Sequence, residues 1–411
     1  MIASGFNILN GGKMLNLAQV LRDIIVDGKN RPVVDLSNQK VTPEELKIIA
    51  KAAFDQGYNT YNLSGCGLTA RHIDGLIGKG VETLRADNNS ALGALGAERI
   101  AAVNPVHLEL SYSQAGGRLS AFQNTRLETL IIRGGTATGV TMTDIVALMA
   151  NPNFKEINLS GNALNFGNAG CLKVAANTRM VSINFRGCEA WDDTALLLSK
   201  NLNLRALDLS NCRTMTSTGW GYVGNIPGLT HFTAIGIPNS NVVQAAKISS
   251  LQVLNLSFSL RGDADLAAFT KLPNVTTITA QACGLTDASV DLLLSMPNLT
   301  YADVRYNAIS SAKQAQLDEF IADNISRAGT TVSAAPAFAA MSYHGAKNVS
   351  HVAPLKVEEV DNTPINWEKF ASTTNSPISF WHFPTPQSLE KKYSQQHLDN
   401  IVEAAGKFAK A

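Results

Sequence analysis

The feature that most constrains this 411-residue sequence is a nine-residue frame that returns at a nearly fixed period. It is clearest at Leu204–Cys212, which reads LRALDLSNC. Leu207 and Leu209 alternate with Asp208 and Ser210, the two-residue period of a strand with one buried face. The frame returns at Phe154–Asn162, Met180–Cys188, Leu251–Ser259 and Val275–Cys283, and weaker copies begin at Arg31, Tyr58, Val81, Pro105, Leu127, Leu229 and Leu299. The sixth position of the twelve frames falls at 36, 63, 86, 110, 132, 159, 185, 209, 234, 256, 280 and 304. The eleven intervals span 268 residues, a mean period of about 24, and positions four and six are apolar in every frame. Strands of an ordinary domain do not recur at one period. Each frame is therefore one unit of a stack whose neighbours bury each other's apolar faces.

Between frames the period changes to that of a helix. Thr42-Pro43-Glu44-Glu45 is a capping box with proline at the first helical position, followed by an apolar face of Leu46, Ile49, Ala50, Ala53 and Phe54. Thr69–Ile77, Thr143–Ala150 and Thr286–Leu294 repeat the pattern. A strand, a turn and a helix every 24 or so residues, with the LxxLxLxxN/C core, resemble the leucine-rich repeat of the ribonuclease-inhibitor-like and cysteine-containing types. The resemblance covers about two-thirds of the chain. It implies an α/β fold: a right-handed, curved horseshoe solenoid with a parallel sheet on the concave face and helices on the convex face. The ninth and tenth frames depart from pattern at Ala234, Ile237 and Ser259, and a 22-residue interval there predicts a shorter convex segment.

Around the repeats of residues 31–309 the sequence predicts three other segments. Residues 1–30 form an N-terminal helical cap, with Leu15, Leu17, Val20, Leu21, Ile24 and Ile25 as its stripe and Gly28 to end it. Residues 310–327 form a terminal helix with Leu317, Phe320 and Ile321 on one face. Residues 328–411 hold a linker, a proline- and aromatic-rich segment containing Trp367, Phe370, Phe380, Trp381 and Phe383, and a final helix from roughly Pro386 to Phe408.

Composition narrows the function. A net charge of +1 with 16% charged residues gives no general attraction to nucleic acid or to an anionic membrane. No apolar run approaches the roughly 20 residues that span a bilayer, and Met1–Phe6 has neither the basic nor the apolar region of a signal peptide. Of five cysteines, Cys66, Cys188, Cys212 and Cys283 occupy the ninth frame position, where other frames carry Asn89, Asn162 or Asn307; Cys171 does not. An odd number of thiols spread over separate repeats is not a disulfide framework, and reduced cysteines favour a cytosolic setting. There is no CxxC spacing, P-loop, HExxH or GxSxG, and the seven histidines have no ligand spacing. No cysteine follows Cys283 to serve as a nucleophile in the C-terminal segment. The expectation is a non-enzymatic protein with no cofactor and no metal.

Recognition is expected on positions five, seven and eight, which project from the concave sheet. Most are Asn, Asp or Ser and read as residues that satisfy one another between strands. The exceptions are Phe258, Arg305 and Tyr306, with Gln281 between them, and then Arg133, Arg186 and Tyr112. Aromatics and arginine are the types that anchor interfaces, and a face of mixed charge suits a protein surface better than a polyanion. The reading is a monomeric, cytosolic protein-interaction module whose concave face takes a protein partner. Irregular repeats and a short polar tail are similar to bacterial effectors of the Legionella-like leucine-rich-repeat kind, which implies a host-cell partner. The alternatives are an adaptor or enzyme whose activity lies in residues 328–411, and a repeat face covered by that same segment.

Overall fold

The computed structural model describes residues 7–10, 13–16, 25–26, 32–134, 138–238 and 241–328, and it divides into two compact units. The first joins the chain up to Ala234 with Gln244–Leu251; the second joins Ile235–Val243 with the chain from Gln252 onward.

The first unit carries nine of the twelve frame strands: Pro32–Asp35, Thr60–Asn62, Thr83–Arg85, His107–Glu109, Thr129–Ile131, Glu156–Asn158, Ser182–Asn184, Ala206–Asp208 and His231–Thr233. All pair in parallel with the fourth frame positions in register, Val34 with Tyr61, Leu84, Leu108, Leu130, Ile157, Ile183, Leu207 and Phe232 in turn. A slip of one residue would turn every apolar side chain to the other face, so the buried pattern fixes this register. The second unit carries Val253–Asn255, Thr277–Thr279 and Tyr301–Asp303, parallel and again in register through Leu254, Ile278 and Ala302. The sixth position is buried in all twelve frames. Each unit is thus built of leucine-rich repeats, an α/β architecture of parallel strands with a helical segment after most of them.

The helical segments begin as the capping signals require. Thr42 Oγ1 accepts from the Glu45 amide at 3.2 Å while Glu45 Oε2 accepts from the Thr42 amide at 2.7 Å, and the helix runs Pro43–Asp55. Leu46, Ile49, Ala50 and Ala53 are buried, but Phe54 is exposed, with Lys79 Nζ 5.6 Å from its ring centre. In the ninth frame the segment is a 3₁₀ helix, Asn241–Lys247. A helix follows the last strand over Ser311–Ala328; Leu317 is buried on it, and Asn324 Nδ2 donates to the Leu299 carbonyl at 2.8 Å.

One segment differs from expectation. Asn7–Asn10 and Lys13–Asn16 pair antiparallel, and Ile25–Val26 pairs antiparallel with Pro32–Val33, so Leu15 and Ile25 stand on strands and not on a helix. The signal was in the sequence: Gly11-Gly12 between NILN and KMLN is the two-residue spacing favoured in hairpins, and the apolar stripe overrode it. Leu17, Val20, Leu21 and Ile24 lie outside the described residues, as do residues 329–411 with Trp367, Phe370, Phe380, Trp381, Phe383 and the expected final helix.

Candidate recognition surface on the repeat strands

The strand face is organised by four positions of the frame. At position five, Asn or Asp accepts the amide of position seven in its own repeat: Asp35 from Ser37 at 2.9 Å, Asn158 from Ser160 at 3.0 Å, Asn184 from Arg186 at 2.9 Å and Asp208 from Ser210 at 2.8 Å. This is the local Asx turn that ends these strands. Cross-strand bonds such as Asn184 Nδ2 to Asp208 Oδ2, at 3.0 Å, come on top of it. Most of these side chains therefore have a structural task.

Position nine turns inward and donates to the carbonyl of position six in the preceding repeat. Cys66 Sγ reaches Leu36 at 2.9 Å, Asn89 Nδ2 reaches Leu63 at 3.0 Å, Ser113 Oγ reaches Ala86 at 2.8 Å and Asn162 Nδ2 reaches Ile132 at 2.9 Å. Cys188 and Cys212 reach Leu159 and Phe185, both at 3.2 Å, Cys283 reaches Leu256 at 3.3 Å, and Asn307 reaches Ala280 at 2.8 Å. Thiol, amide and hydroxyl share this position because each supplies a donor to that carbonyl. All five thiols, Cys171 included, are free and buried. Burial pushes the Cys66 thiol up to about 11 and raises Cys212 and Cys283; for Cys188 its bond with Cys171 raises it first, then burial.

Position eight was not singled out by the sequence as a backbone position, and it is one. It has positive φ in all twelve frames: Asn38, Gly65, Asn88, Tyr112, Gly134, Gly161, Gly187, Asn211, Gly236, Phe258, Ala282 and Tyr306. Positions seven and eight thus lie in the turn beyond the three-residue strand, not on the strand itself. Glycine and asparagine fit this left-handed turn; a bulky residue there is strained by roughly 1–2 kcal/mol. Tyr112, Phe258 and Tyr306 take it at φ of 57°, 60° and 62°, and Tyr112 and Phe258 are each 40% exposed.

In the second unit Phe258, Gln281, Arg305 and Tyr306 fall on three successive repeats. The Phe258 amide donates to the Gln281 carbonyl at 2.9 Å, and the Ala282 amide to the Arg305 carbonyl at 3.1 Å. The small Ala282 separates the two aromatic positions. Below them Asp303 is buried and takes Arg305 Nε at 2.9 Å, Arg305 Nη2 at 2.7 Å and Gln281 Nε2 at 2.6 Å. Burial pushes the Asp303 carboxyl up, but the two Arg305 bonds, its charge and Gln281 together hold it below the ordinary value. The same pairing raises Arg305. Arg305 is a fixed fork bound to its own sheet.

In the first unit Arg85 Nε meets Glu109 Oε1 at 3.1 Å, and the Ser111 amide donates to Asp87 Oδ1 at 2.6 Å. Burial, then the neighbouring Glu109, pushes Asp87 up to about 6. Arg133 Nε lies 3.4 Å from Ser111 Oγ. The Tyr112 ring lies over Gly134, where a Cβ would come within 2.4 Å of its Cδ1. His107 Nδ1 sits 3.1 Å from Thr129 Oγ1; His72 is buried, bridging Thr69 and the Val41 carbonyl, which gives it a structural role. Among the described residues no helix is long and apolar enough to cross a membrane.

No protein-family model matches the sequence, and no curated protein gives a significant match. Among solved structures the chain is similar to one of a Rad7 and Elc1 complex in yeast, at 16% identity over 68% of this chain and 81% of that one, with a TM-score of 0.43. It is also similar to one of a TLR13–ssRNA13 complex, at 17% identity over 62% of this chain and 42% of that one, with a TM-score of 0.40.

Proposed function

We propose that this chain is a non-catalytic interaction module that takes a protein partner on the strand face of its repeats, with Phe258, Gln281, Arg305 and Tyr306 as the centre of the contact. The observation that carries this is the strain at position eight. Eight of twelve frames use Gly or Asn there, whereas Phe258 and Tyr306 hold aromatic rings in the same left-handed turn. A strained position that costs stability and presents a large side chain to solvent is characteristic of a functional surface. Aromatics are also the side chains that dominate interface energetics. Buried thiols without disulfides favour a reducing compartment. A host protein as the partner rests on the resemblance to bacterial effectors.

The test uses the consensus of the frame. A Phe258→Asn, Tyr306→Asn chain should keep or raise its melting temperature, because asparagine relieves the left-handed strain. It should lose roughly 2 kcal/mol or more of affinity for a partner captured by the unaltered chain and then titrated. A fall in melting temperature with affinity unchanged assigns the two rings to the protein's own packing and removes the proposal.

A further inference from the structure

Four arginines occupy positions five and seven of the frames, and they are not alike. Arg85 and Arg305 are closed into ion pairs with Glu109 and Asp303, at 3.1 and 2.7 Å. Arg133 and Arg186, both on the first unit, are closed into no ion pair among the described residues. Among the described residues the Arg133 guanidinium has one long bond, to Ser111 Oγ at 3.4 Å, and both side chains are half-buried. They stand at position seven of the fifth and seventh frames, with Ser160 at that position between them. Two strand spacings root them about 10 Å apart. Beside them position eight is Gly134, Gly161 and Gly187, none of which carries a side chain, and the exposed Tyr112 ring lies over Gly134 at one end of the row. The carboxylates of this face are held down in the sheet: Asp87 by the Ser111 amide, Glu109 by Arg85, and Asp208 by Asn184 and the Ser210 amide; the charges of Arg133 and Arg186 act on Asp87 and Asp208 without closing an ion pair.

We propose that this row takes an acidic peptide segment of the partner, with carboxylates on Arg133 and Arg186 and an apolar side chain against Tyr112. The proposal rests on the reading of the strand face as the partner-binding surface and names the chemistry it selects. An extended peptide presents same-face side chains about every 7 Å, within the swing of two arginine arms rooted about 10 Å apart. Guanidinium groups pair with carboxylates in a two-pronged geometry that lysine does not offer. The acids interspersed on the same face disfavour a continuous polyanion.

The probe is a fluorescein-labelled dodecapeptide with one Phe followed by alternating Ser and Glu, titrated into the full chain at low salt and read by anisotropy. Replacing its Glu by Gln should weaken binding about tenfold, and so should Arg133→Gln, Arg186→Gln in the protein, while Lys51→Gln, at an exposed cation on the Pro43–Asp55 helix, leaves it unchanged. Added salt should weaken the Glu peptide selectively. Should the Gln chain melt early, Arg133→Lys, Arg186→Lys keeps the charges; it should bind the Glu peptide measurably but more weakly than arginine. Equal binding of Glu and Gln peptides, an unaffected double variant, or tighter binding of a thymidine dodecanucleotide overturns the proposal. Failure here, with partner binding still lost on Phe258→Asn, Tyr306→Asn, removes only the acidic segment. The reverse pattern, with the peptide results as expected and partner binding kept on Phe258→Asn, Tyr306→Asn, removes the second-unit centre and leaves the arginine row.

Discussion

Position eight divides the two units. In the first, seven of its eight residues are Gly or Asn, with Tyr112 the exception; in the second, only Gly236 of four is, beside Phe258, Ala282 and Tyr306. The turn is left-handed in both. The backbone therefore does not depend on the side chain; the side chain is tolerated because the strands and the buried sixth positions over-determine the turn. The first unit uses residues that relax this turn, closes Arg85 onto Glu109 and leaves Arg133 and Arg186 outside ion pairs among the described residues. The second accepts strain to display rings and locks Arg305 onto Asp303. One frame thus yields a charged surface in one unit and an aromatic one in the other.

The comparison breaks most severely where both units should agree, at the fourth position. Leu207→Asp places a carboxylate at a fully buried site and should destabilise by several kcal/mol, abolishing the cooperative melt of the first unit. Ala302→Asp, at a half-buried fourth position in the second unit, should cost distinctly less. A melt of the Leu207→Asp chain matching the unaltered one sinks the frame itself.

The next difference is electrostatic. Asp87, raised to about 6, and Asp303, lowered, should respond oppositely to pH. For Asp87 the folded value lies above the unfolded one near 3.9, so its stabilising contribution is present below about pH 4 and is lost as pH rises through about 6. Asp87→Asn, which keeps an acceptor for the Ser111 amide, should therefore stabilise at pH 7.5 by on the order of 2 kcal/mol and be neutral near pH 4. For Asp303 the folded value is depressed, so its contribution is present above about pH 4 and fades below it. Asp303→Asn should destabilise at pH 7.5, and its deficit should shrink on acidification. Denaturant midpoints across pH for both variants decide it; parallel curves refute the contrast.

A smaller effect sharpens the contrast at position eight. Asn211→Phe in the first unit should lower stability by about 1 kcal/mol, and Ala282→Gly in the second should raise it by a similar amount. If Asn211→Phe is neutral, the turn carries no strain, and the aromatics of the second unit lose their significance.

Much of this was legible in the sequence and some was not, for definite reasons. Positions four and six are read directly because burial on one strand face demands apolar residues at a period of two. Position nine was legible as an inward turn because Cys and Asn interchange there, and both can meet backbone groups of the adjacent turn. Position eight was equally available, since Gly or Asn recurs at Asn38, Gly65, Asn88, Gly134, Gly161, Gly187, Asn211 and Gly236, yet it reads as surface variation unless the backbone is considered. The locking of Arg305 by Asp303, and the looser state of Arg133 and Arg186, could not be read. Such pairings depend on which carboxylate a guanidinium reaches, and one-dimensional spacing does not encode it. Leu15 shows the opposite failure, an apolar stripe that fits a helix but lies on a hairpin strand.

The finest expected difference lies within the ladder at position nine. Asn162 donates to the Ile132 carbonyl at 2.9 Å and to the Leu159 carbonyl at 2.9 Å, and it accepts from Thr138 Oγ1 at 2.7 Å. Cys212 supplies one bond, to the Phe185 carbonyl at 3.2 Å. Removing a donor from a buried carbonyl costs about 1 kcal/mol, and each further orphaned group adds to it. Asn162→Ala should therefore destabilise by roughly 2–3 kcal/mol, Cys212→Ala by about 1 kcal/mol, and Cys212→Ser, which restores a donor, by less than the alanine change. The same burial that raises the Cys212 thiol should make its alkylation slow in the native chain and complete after denaturation. Rapid native labelling of Cys66, Cys188, Cys212 and Cys283 contradicts the inward turn. A Cys212→Ala variant as costly as Asn162→Ala contradicts the assignment of the thiol as a single donor, leaving the shape of the side chain, and not its hydrogen bond, as what position nine selects.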